Sequence, residues 1–108
     1  MEKHEYIQRL QLVIHQLHKC DSRHIESVPV QEVFQGKTIW RGSVEVFSVT
    51  GYPNATRCYA WSHRSGKDDK DERFVAVIGL PPVDSAHKAV QIAIASEVRS
   101  KNRLDKKP

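Results

Sequence analysis

Between His24 and Leu80 the chain alternates strand-like stretches with turn signals, and no link between them is longer than nine residues. Such links close hairpins but are too short for the crossover helix that a parallel strand pair needs. The stretches run over 24–34, 38–49, 57–63 and 73–80, and they favour β-branched and aromatic side chains. Gln35-Gly36-Lys37 and Gly51-Tyr52-Pro53-Asn54 supply the residues that turns favour. The run Ser65 to Glu72 has no apolar residue and reads as a solvated hairpin loop. Pro29 cannot donate to a ladder, so the first strand is expected at a sheet edge or with a bulge that switches its inward face.

Amphipathic helices flank this meander. Tyr6, Leu10, Val13, Ile14 and Leu17 recur at helical spacing between Glu5 and Lys19. Ala86, Ala89, Val90, Ala93, Ile94 and Val98 do the same after Asp84 or Ser85, either of which suits the opening cap. The expected fold is therefore α+β: a four-stranded antiparallel β-meander in the order α-β-β-β-β-α, with the N- and C-terminal helices packed on one face. The other face would be left open. A helix–strands–helix order is similar to that of the double-stranded-RNA-binding domain, but that domain has three strands and a lysine cluster opening its last helix. Here Lys88 stands alone and no site residue carries over.

At 108 residues the chain suits one domain, expected over 1–98, with a basic flexible tail over 99–108. The tail holds Arg99, Lys101, Arg103, Lys106 and Lys107 against Asp105, which accounts for the whole formal charge of +4. The body is formally neutral, which weakens a polyanion-binding reading. Two cysteines, Cys20 and Cys58, make no disulfide framework, and no apolar run approaches a secretory or membrane-spanning segment. A soluble, cytoplasmic protein without membrane association is the expectation.

The third strand has two chemically different sides. Cys58, Ala60 and Ser62 alternate with Arg57, Tyr59, Trp61 and His63, and the small side is expected beneath the helices. The second strand would extend the open side with Arg41, Ser43 and Glu45, while Trp40, Val44 and Val46 enter the core. Arg41, Arg57, Tyr59, Trp61 and His63 are thus the candidate binding residues. Aromatic and arginine side chains on an exposed sheet suit a protein partner or a homodimer. They also suit single-stranded nucleic acid, helped by the tail.

His15, His18, Cys20 and His24 are metal-ligating types and make a zinc-binding protein a further alternative, but their spacing matches no familiar zinc finger, so solvated histidines are the plainer reading and no cofactor is expected. The acidic loop Asp68 to Glu72 lacks a calcium-loop pattern and is interrupted by lysine. Cys58 with His63, or Asp21 with Glu26, can be written as catalytic pairs, but nothing in their spacing sets a geometry. A non-enzymatic binding or assembly module is the preferred reading.

Overall fold

The computed structural model describes residues 2–65 and 71–105, the side chains at 34, 63–65, 71, 72 and 97–105 excepted. Helix α1 (Lys3–His18) leads into strands β1 (Asp21–Phe34), β2 (Lys37–Thr50), β3 (Arg57–Ser65) and β4 (Asp71–Ile78), and helix α2 (Ala86–Asp105) follows. The strands form one sheet in the order β1-β2-β3-β4, each neighbouring pair antiparallel. This is the expected α-β-β-β-β-α meander.

On α1, Leu10 and Ile14 are fully buried, with Tyr6 and Ile7 packed beside them. Tyr6, Leu10, Ile14 and His18 are each four residues apart, so they form one row along the helix. Leu17, expected on the buried face, lies off that row and is exposed. His18 takes the inward place: its Nε2–H donates to the Ala76 carbonyl at 2.8 Å, and its ring meets Tyr52 edge-on. Lys19 adopts a left-handed conformation and donates its N–H to the His15 carbonyl at 2.9 Å, ending the helix.

Strand β1 is an edge strand and also carries a bulge, with Ile25 as the extra residue between His24 and Glu26. The bulge inverts the alternation. Cys20 and His24 lie toward α1 before it, whereas Val28 and Val30 lie toward α2 after it. Strands β2 and β3 pair only between Glu45–Ser48 and Arg57–Ala60, so the hairpins β1–β2 and β3–β4 diverge beyond Glu45 and Ala60.

The helices do not share a face. Leu10 and Ile14 of α1 cluster with Phe47, Val49, Cys58, Ala60 and Ile78. Ala86, Ala89 and Val90 of α2 cluster with Val44, Val46, Tyr59 and Trp61. Residues 58 and 60 point opposite to 59 and 61, so the sheet is the middle of three layers. Side-chain size explains the arrangement. The large residues of α1 sit over small Cys58 and Ala60, while the alanines of α2 let its backbone approach the bulky Tyr59 and Trp61.

Helix α2 opens at Ser85, whose hydroxyl accepts the Lys88 amide at 3.2 Å. It runs to Asp105, beyond the fraying point expected at Arg99, because residues 86–105 contain neither glycine nor proline. Residues 106–108 lie outside the described residues. No described helix is long and apolar enough to cross a membrane.

Candidate binding groove

The exposed aromatic platform is not formed. Tyr59 and Trp61 are only 7% and 3% exposed, covered by α2, and Trp61 meets Trp40 edge-to-face at 5.9 Å. Arg41 and Arg57 are exposed, and the His63 side chain lies outside the described residues. Glu45, expected on the same open surface as Arg41 and Ser43, is instead 2% exposed on the α1 side.

Two of the candidate residues do meet in a concave feature. A groove of about 430 Å³ lies where the start of α2 overhangs the sheet, within the usual size of ligand sites. Val28, Val30 and Val46 give it an apolar lining together with the Tyr59 ring. Arg57, Glu26 and Asp84 bring charges of both signs to it, and Pro29 and Gln31 continue the β1 wall. Ser85, Ala86 and His87 form the helix side. The bulge at Ile25 is what turns Val28 and Val30 to this face. His87 donates to the Glu32 carboxylate, which also accepts from Gln91 at 3.4 Å, so the start of α2 is tied to β1 beside the groove.

Tyr59 is the informative residue there. Burial pushes its phenol above the ordinary value of 10, while the Arg57 guanidinium pulls it down and Asp84 and Glu26 add to the rise. Tyr59 lines the groove together with Arg57, Asp84 and Glu26. Its hydroxyl has no protein partner among the described residues and is open to solvent. Alternation along β3 had placed Arg57 and Tyr59 on one side. Asp84, Ser85 and Glu26 were not legible as their neighbours, because they arrive from a distant helix start and from beyond a bulge.

A second polar cluster lies on the α1 face. The buried Glu45 carboxylate accepts from His24 Nε2–H at 2.8 Å and from the Ser27 hydroxyl. Ser27 in turn accepts from Lys3 Nζ at 2.7 Å, and that ammonium stands 3.6 Å from the carboxylate. Ser27 is engaged by a carboxylate and an ammonium rather than by an imidazole, so the nucleophile–base pairing of a hydrolase is not assembled. The cluster neutralises a buried charge and ties the start of α1 to β1.

Cys58 is fully buried, and that burial, reinforced by the neighbouring Cys20, pushes its thiol up to about 12. A thiol held protonated is a poor nucleophile. The four metal candidates are dispersed: His15 faces Asp21, His18 bonds β4, Cys20 is buried and His24 serves Glu45. Among the described residues no three His, Cys, Asp or Glu side chains are grouped to hold a metal.

No family model matches the chain, and no curated protein or solved structure shows significant similarity to it.

Proposed function

We propose that this protein is a non-enzymatic binding module whose groove between α2 and the sheet receives an extended segment of a protein partner. The observation that carries this reading is the pairing of an apolar lining with charges of both signs. Val28, Val30 and Val46 suit apolar side chains, while Arg57, Glu26 and Asp84 match the acceptors and donors of a peptide. The β1 wall spans residues 26–31, about 20 Å of extended chain at ~3.3 Å per residue. That length fits a strand-like segment better than a compact metabolite. Glu26 and Asp84 oppose a phosphate chain, so the groove favours peptide over nucleic acid.

A displayed library of random peptides selected on the wild-type protein tests this. Selected peptides should shift the amides of Val30, Arg57 and Tyr59 in NMR spectra and lose about tenfold or more in affinity to Arg57→Glu. Peptides whose shifts map elsewhere, or a short RNA that binds the groove more tightly than any peptide at moderate salt, would overturn it.

A further inference from the structure

Strand β1 has one edge without a neighbouring strand, and the groove runs along it. Which backbone groups face that edge follows from the ladder. The Val49 N–H donates to the Thr56 carbonyl at 3.1 Å, so Val49 turns its backbone groups toward β3. Bonding direction alternates along a strand, so Val46, Val44 and Gly42 turn theirs toward β1, where they stand opposite Glu26, Val28 and Val30. The backbone groups of Ser27, Pro29 and Gln31 therefore point out from the sheet. Pro29 belongs in that set, because it has no N–H to give to β2.

Elsewhere α1 covers such groups. Gln11 Nε2 donates to the Ser22 carbonyl at 3.0 Å, before the bulge of β1, and His18 Nε2–H donates to the Ala76 carbonyl at 2.8 Å on β4. The Tyr6 phenol accepts the Ser62 N–H where β3 leaves β2. Along Ser27–Gln31 the side chains are engaged, the Ser27 hydroxyl with Glu45 and the Gln31 amide with Thr38. Among the described residues, however, no group reaches the outward backbone of Ser27, Pro29 or Gln31, and all three residues are exposed. An open row of strand donors and acceptors is a template for another strand. Here it lies beside the apolar strip of Val28 and Val30.

Resting on the groove reading above, we propose that the partner's segment adds to β1 as a fifth, antiparallel strand, exchanging backbone hydrogen bonds with Ser27 and Gln31 and donating to the Pro29 carbonyl. Segment residues opposite Val28 and Val30 then turn their side chains into the groove, between the valines and the start of α2. Their neighbours turn toward the α1 side and leave the groove. The occupant is a foreign segment rather than a second copy of this chain. A second β1 on this edge would bring its own Pro29, so each copy would lack a donor, whereas a proline-free segment meets only one. It would also add a second Glu26 and Asp84 to a groove that already holds both carboxylates.

The test uses the full chain and octapeptides from the library selection on the wild-type protein, each also remade with one residue at a time N-methylated. The Ser27 and Gln31 amides should exchange hydrogen freely in the unbound chain and slow by about tenfold or more on binding, while Val28 and Val30, bonded to β2, exchange slowly throughout. N-methylation should weaken binding about tenfold at every second peptide position and about twofold or less between them. Pro29→Val, which returns a donor to the edge, should tighten the same peptides about 3- to 10-fold. Peptides that move Val30 and Tyr59 but leave Ser27 and Gln31 exchange unchanged, or show no period of two in the scan, would overturn the added strand and leave the peptide groove standing. Protection of both amides in the free chain, together with a dimer in sedimentation, would give the edge to a second copy and overturn the proposal. Groove signals that no peptide moves would overturn both readings.

Discussion

The phenol oxygen of Tyr6 on α1 accepts the backbone N–H of Ser62 on β3 at 2.9 Å and the Ser62 hydroxyl at 3.2 Å. Ser62 lies just past Ala60, the last residue of β3 to pair with β2. A helix side chain thus supplies a bond that a neighbouring strand no longer makes. Tyr6→Phe should therefore lower stability by about 1 kcal/mol, read as a reduced urea midpoint at unchanged slope.

The Glu45 cluster should behave as a unit. His24→Ala leaves the buried carboxylate short of a donor and should cost about 1–3 kcal/mol. In a double-mutant cycle with Glu45→Gln, the pair should couple by about 1 kcal/mol or more. Additive effects in chemical denaturation would show that solvent, rather than His24, satisfies Glu45.

Ile25 is 44% exposed, yet its presence sets which face the rest of β1 shows. Ile25→Ala should change stability by no more than about 0.5–1 kcal/mol. Deleting Ile25 should be far worse, by about 3 kcal/mol or more, because it turns Val28 and Val30 away from α2. Comparing the thermal midpoints of the two variants checks this.

The contrast shows what sequence pattern conveys. Element order and antiparallel pairing were legible because they depend on local spacing and short links. The facing of Tyr59 and Trp61 was not, because it depends on which helix meets which side of β3. The complementary sizes, alanines on α2 and large residues on α1, were present in the sequence as two separate patterns. Matching them requires the sheet between them. Glu45 was misread for a related reason: alternation fixes a face, but only His24 and Ser27, brought together across a bulge, make that face habitable for a carboxylate.

Stability should fall in strong alkali. The folded chain keeps the Cys58 thiol protonated up to about 12, while an unfolded thiol ionises near 9. The folded state therefore holds the extra proton across that window, and stability present below pH 9 is lost as pH rises, by up to about 1.4 kcal/mol per unit. Burial of Tyr59 acts in the same direction. Urea unfolding across the window should show this slope, and Cys58→Ala should flatten it.

Gly79 stands close to β3: a Cβ there would come 3.1 Å from the Arg57 carbonyl oxygen and 3.4 Å from the Tyr59 ring. Gly79→Ala should cost about 1–3 kcal/mol and perturb the NMR signals of the groove along with the stability.

The narrow seam between β2 and β3 gives the two termini a mechanical office. Each helix bears on strands of both hairpins, α1 on β1, β3 and β4, and α2 on β1, β2 and β4. The sheet is thus closed by its helices as much as by its own ladder. The segments farthest apart along the chain act as two clasps, one above and one below, and unlatching either would let the hairpins swing apart along the line from Glu45 to Ser48.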